Sequence, residues 1–179
     1  MRLHVTIAAG VLAVVLGCAA AALAQQVTKQ EVPGIRNLAR IETTVACAGA
    51  ITPESVVEIK KMGFASVINL RLATEAGADV EKEEAAAKAA GIRYVHIPYD
   101  GSADAKAADA FLNAITSRGT EPAFIHCAGG NRAATMWLIK RIAVDHWDVK
   151  RATDEAILLG QTSATARQFA IDYANAHHR

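Results

Sequence analysis

Ala123-Phe124-Ile125-His126-Cys127-Ala128-Gly129-Gly130-Asn131-Arg132-Ala133-Ala134-Thr135-Met136-Trp137 is the stretch whose reading decides both fold and chemistry. Residues 123–126 form a short, mostly apolar run, which predicts a buried strand. From Ala133 to about residue 144 the sequence is a nearly all-apolar helix, and Trp137, Leu138, Ile139 and Ile142 read as core. The loop between them carries the reactive groups. A helix start aims unpaired backbone N–H groups at Cys127, and Arg132 adds a fixed positive charge, so this cysteine has two reasons to be a thiolate. Gly129 and Gly130 let the backbone curl with its amides inward, making an anion-binding nest with Ala128 and Asn131. Arg132 can grip two oxygens of a tetrahedral oxyanion. Nucleophile and oxyanion cradle then share one loop, which suits attack on phosphorus or sulfur better than on a peptide carbonyl. The plain alternative is an inert buried cysteine before a Gly-Gly turn.

Working outward, short apolar runs alternate with helical patterns. Strands are expected over residues 43–47, 64–70 (ending at Arg71) and 92–98. Helices are expected from Thr52, as N-cap with Pro53 at the first position, to about Met62, and over 80–90, closed by Gly91. Further helices are expected over 105–117, near 150–159 and over 164–176. Such alternation with short connections predicts a single α/β domain with a mostly parallel central sheet and helices on both faces. Ligands of such sheets sit beyond the carboxyl ends of the strands. That rule puts Cys47, Arg71, Asp100 and Cys127 on one rim, with Arg71 a candidate for substrate binding.

The composition, 52% hydrophobic and 21% charged, excludes disorder, collagen and coiled coil. Residues 1–24 read as a cleaved export signal: Arg2, the apolar run from Ile7 to Gly17, and Ala22-Leu23-Ala24 before Gln25. Leu16-Gly17-Cys18 also resembles a lipoprotein box, which would anchor the chain at Cys18 instead. Without the leader, no membrane contact is expected, and the location is periplasmic or secreted. The 19 Lys and Arg stand against 18 Asp and Glu. Losing Arg2 with the leader balances the charge, which gives no sign of a nucleic-acid partner. Residues 25–41 show no clear period and read as a linker or N-terminal arm, leaving 42–179 as the catalytic domain with its C-terminal helices. After export Cys47 and Cys127 remain, a candidate disulfide by default. No zinc-ligand spacing, P-loop lysine or dinucleotide fingerprint is present, so no metal and no cofactor are expected.

The loop, together with Ile51-Thr52-Pro53, Val67-Ile68-Asn69-Leu70-Arg71, Tyr94-Val95-His96-Ile97-Pro98 and Ala134-Thr135-Met136-Trp137, resembles the cysteine-dependent dual-specificity/protein-tyrosine phosphatase superfamily. It is most similar to the bacterial branch of beta-lactamase hydrolase-like phosphatase domains, over roughly residues 40–145. The resemblance implies Cys127 as nucleophile through a phosphocysteine, with Arg132 and the loop amides on the phosphate. It implies that His126 helps hold the thiolate and that Asp100, with Asp104 as fallback, serves as general acid and then base. The substrate would be a phosphorylated small molecule or protein. Two departures stand out. Four residues separate Cys127 from Arg132, where ordinary tyrosine phosphatases have five; four is also the length in rhodanese sulfurtransferases, whose cysteine carries a persulfide. Ala133 stands where a Ser or Thr hydroxyl usually helps the thiolate depart. The readings left open are therefore a sulfurtransferase using a Cys127 persulfide, with Cys47 as resolving or disulfide partner, and an inactive oxyanion-binding module.

Overall fold

The computed structural model describes residues 26–177, so the export-signal and lipoprotein readings lie outside the described residues. Six strands form one sheet: β1 (Thr28–Val32), β2 (Ile35–Ile41), β3 (Val45–Ala48), β4 (Ser66–Asn69), β5 (Arg93–His96) and β6 (Ala123–His126). Their order is β1-β2-β3-β6-β4-β5. The pairs β3–β6, β6–β4 and β4–β5 are parallel. β6 lies between two strands and is buried at all four residues, as a wholly covered parallel strand must be.

Residues 25–41, expected as a linker or arm, are instead largely the β1–β2 hairpin, which adds two antiparallel strands to the sheet. The alternation that marks a strand is broken twice here. Register slips between Gln30 and Val32, and Asn37 takes a positive φ of 50°. Neither irregularity shows in composition.

Helices α1 (Val56–Lys61) and α2 (Val80–Ala90) cover one face. Helices α3 (Ala105–Ile115), α4 (Asn131–Ala143), α5 (Val149–Leu158) and α6 (Ala164–Ala176) cover the other. The helix expected from Thr52 divides into a 3-10 turn, Pro53–Ser55, followed by α1. Thr52 has the extended backbone of an N-cap but makes no side-chain cap bond. The period of two along β6 decides what each face receives. Phe124 packs with Val56, Ile59, Phe64 and Ala87 on the α1–α2 side. Ile125 and Cys127 pack with Phe111, Met136 and Trp137 on the α3–α6 side. The chain therefore leaves β6 with His126 facing one layer and Cys127 facing the other.

Candidate active site

Cys127 follows the last residue of β6, and its loop is pinned on three sides. Cys127 N donates to Ala48 O (3.2 Å), Ala50 N donates to Ala128 O (3.1 Å), and Asn37 Nδ2 donates to Gly129 O (3.1 Å). The residue after β3 lies close beneath: a Cβ on Gly49 would stand 3.0 Å from Ala128 O, so a side chain there would press on the loop. From the far side, Asn131 Oδ1 accepts from Thr162 N (2.7 Å) and Ser163 N (3.1 Å), tying the loop to the α5–α6 turn. Gly130 turns the backbone with φ 106° and caps α4. Its N–H donates to Cys127 Sγ at 3.1 Å. The sulfur is thus held at the helix N-terminus, where the dipole favours negative charge.

Arg132, in the first turn of α4, crosses to the neighbouring strand ends. Its two terminal nitrogens donate to Glu75 Oε1 (2.6 Å) and Oε2 (2.9 Å), a bidentate pair. It also donates to Leu70 O (3.2 Å) and to Tyr99 O. The Arg132 hydrogen bond, chief among several, pulls the Glu75 pKa down to about 2. Burial depresses the Arg132 guanidinium, but the bond to Glu75 and the charges of Cys127 and Glu75 outweigh it and leave the pKa raised. Cys127, Ala128, Gly129, Asn131 and Arg132 line one open cleft of about 540 Å³, whose opposite wall includes Glu75 and Asp100. Cys127 is almost wholly enclosed.

Residues 37–144 match the family described as "Beta-lactamase hydrolase-like protein, phosphatase-like domain". The chain belongs to this family. Among solved structures it is similar to a DUF442 protein of Shewanella putrefaciens CN-32 (18% identity, 82% of this chain and 96% of that one, TM-score 0.66). It is likewise similar to TpbA of P. aeruginosa (21%, 86% and 91%, TM-score 0.62), a protein also solved in complex with pTyr. A third similar structure is the core catalytic domain of the PP-IP phosphatase SIW14 from S. cerevisiae (17%, 80% and 88%, TM-score 0.63). No curated protein matches.

Within this phosphatase-like domain the predicted residues part company. Asp100 does line the cleft. The hydroxyl and amide of Ser102 hold its carboxyl below the ordinary carboxylate range, with Ser102 N donating to Oδ1 at 2.8 Å. Asp104, the fallback acid, is the N-cap of α3, accepting from Lys106 N and Ala107 N. Arg71, expected to bind substrate, does not line the cleft. It is 3% exposed, and its guanidinium is taken by Glu75, Ala76 O (2.7 Å) and Gly77 O (2.9 Å). His126 does not touch the cleft either: the β6 alternation turns its buried ring to the α2 face, where Nε2 lies 3.2 Å from Glu83 Oε2. Cys47, expected on the rim, sits inside β3 level with Ile125, and it and Cys127 are both free thiols. Burial, and then the nearby Cys127, raises the Cys47 pKa well above the ordinary thiol value. Glu75 is the site residue that the sequence reading missed. Its one available signal was its place on the rim loop, four residues past Arg71.

Proposed function

We propose that this protein is a cysteine phosphatase of phosphomonoesters that works after export. Cys127 Sγ attacks phosphorus, the ester P–O bond breaks, and the leaving oxygen takes a proton from Asp100. Water then attacks the phosphocysteine, giving a proton to the Asp100 carboxylate; the P–S bond breaks and inorganic phosphate leaves. The backbone amides of 128–131 and Arg132 receive the three equatorial oxygens. The observation that carries this reading is the contact of Gly130 N–H with Cys127 Sγ at 3.1 Å, in the same cleft as Arg132.

Charge narrows the substrate. Arg132 is the only cation among the described residues lining the cleft, and two carboxylates, Glu75 and Asp100, stand with it. With its one cation already paired to Glu75, the cleft would repel each further phosphate that a densely phosphorylated ring brings. This favours a phosphotyrosine-type ester, the kind of ligand held in a TpbA complex, over a PP-IP substrate of the SIW14 kind. A second cleft of about 980 Å³ runs past Gly129 and Gly130 between β1–β2 and the α5–α6 turn, leaving room for a bulky leaving group. None of the similar structures favours the sulfurtransferase reading. The test uses reduced, purified protein with p-nitrophenyl phosphate, a phosphotyrosine peptide, an inositol polyphosphate, and thiosulfate with cyanide. Hydrolysis of the first two, lost in Cys127→Ser by about four orders of magnitude, is expected. Turnover of thiosulfate alone, or an active Cys127→Ser variant, overturns the proposal.

A further inference from the structure

The last residues of β4 and β6, Asn69 and His126, are register partners, and Leu70 N donates to His126 O (2.9 Å) just beyond them. Both side chains turn to the face covered by α2. There they meet Glu83, which is 0% exposed in the first turn of that helix. Glu83 Oε2 accepts from Asn69 Nδ2 (2.8 Å) and from the Tyr94 hydroxyl (3.0 Å), and lies 3.2 Å from His126 Nε2. Asn69 Oδ1 in turn accepts from Arg71 N (2.7 Å), which bends the chain leaving β4. That bend presents Leu70 O to Arg132 and starts the loop that returns Glu75 to the same guanidinium.

One carboxylate therefore holds two branches. One is the 3.2 Å contact with His126, the neighbour of Cys127; the other runs by hydrogen bonds through Asn69 and the 70–75 turn to Arg132. Stability alone does not explain it. A buried carboxylate is strongly disfavoured unless well paired, and apolar side chains of the same volume would pack as well. Here Glu83 Oε1 and both ring nitrogens of His126 have no hydrogen-bond partner among the described residues, the 3.2 Å approach of Nε2 to Glu83 Oε2 being a close contact only. Imperfectly satisfied buried groups of this kind call for an explanation beyond packing.

We infer that Glu83 is a positioning residue, acting through His126 and Asn69 to fix the Cys127 sulfur relative to the Arg132 guanidinium. It touches no substrate. It sets the distance between the two groups that do. The inference rests on the phosphatase reading only for its kinetic arm.

The test is Glu83→Gln in the full chain, which keeps shape and removes the charge. Three measurements are taken: kcat and KM on p-nitrophenyl phosphate, the rate of Cys127 alkylation by iodoacetamide at fixed pH, mapped by peptide mass, and the melting temperature. Expected is a fall in kcat of about tenfold to a hundredfold with KM changed less than about threefold, as misplacement of reacting groups gives. Alkylation of the folded protein slows in parallel. Combining Glu83→Gln with His126→Asn should do no more harm than the worse single change, because both interrupt one branch. A lowered melting temperature with wild-type alkylation and kcat in the folded fraction overturns the inference. Should wild-type protein hydrolyse no phosphate ester, the phosphatase reading fails while the alkylation arm still decides on Glu83. Should Glu83→Gln fail to fold, Glu83→Asp keeps the charge but is one methylene short of both partners. Wild-type alkylation in that variant overturns the inference equally.

Discussion

The loops that follow β4 and β6 each carry an arginine near the carboxyl edge of the sheet, and the two arginines have opposite fates. After β6 the chain enters a helix within five residues, so its backbone N–H groups face inward and Arg132 must look across the cleft for acceptors. After β4 the chain wanders through 71–79 before α2, and its carbonyls at Ala76 and Gly77 fold back over Arg71. Arg132 also spends donors on the carbonyls of Leu70 and Tyr99, so what separates the two arginines is place: Arg132 lines the cleft and Arg71 does not. Glu75 joins the two loops, accepting from both arginines.

Swapping each arginine for lysine tests that contrast most severely. Arg132→Lys keeps a charge but loses the fork, and kcat/KM should fall by about a thousandfold with little change in melting temperature. Arg71→Lys should do the reverse, lowering the melting temperature by several degrees through the stranded carbonyls while kcat/KM falls less than about tenfold. Equal kinetic losses in the two would erase the distinction. Glu75→Gln probes the bridge and should raise KM by about tenfold. Its thermal penalty has a defined pH range. Because the Glu75 pKa is depressed to about 2, its pairing contributes in full above the ordinary 4.5 and is lost as pH falls through about 2. The melting-temperature gap between wild type and variant should therefore be open at pH 6 and closed near pH 2.

Two smaller changes sharpen the reading of the β6 loop. Ala133 is wholly buried beside Cys127 and offers no hydroxyl to a departing thiolate. In the proposed mechanism this makes phosphocysteine breakdown the slow step, so rapid mixing should show a burst of one nitrophenolate per enzyme. Ala133→Ser should shrink the burst and raise kcat about tenfold. Ser102→Ala removes the hydroxyl that holds Asp100 low. A general acid works only while protonated, so the descending limb of kcat/KM against pH should move to higher pH, and an unmoved limb would exclude Asp100 as the acid.

Much of the fold could be read from the sequence because its signals are local. The bounds of α2 and α6 coincide with the expected ones, since a cap and an αL glycine or a Ser N-cap mark them. The Cys127–Arg132 loop was visible for the same reason: strand, glycines and helix follow one another without a break. The two buried or bridging carboxylates were not. Glu83 sits in an Ala/Glu/Lys helix that resembles a solvated one, and the clue that it turns inward is its place four residues before the buried Ala87. Arg71 and Arg132 looked equivalent because rim position says nothing of which carbonyls are within reach. His126 looked catalytic because adjacency along the chain hides the alternation that sends it to the other face.

By itself the sequence determined the α/β alternation, the family and a Cys127–Arg132 loop set between strand and helix, all of which depend on residues within one or two turns of each other. The tertiary structure alone decided which arginine lines the cleft, which carboxylates lie beside the two strand ends, and that residues 28–32 and 35–41 are sheet. Those outcomes depend on partners brought together across the sheet from distant parts of the chain, and no local pattern records which partner a polar side chain will find.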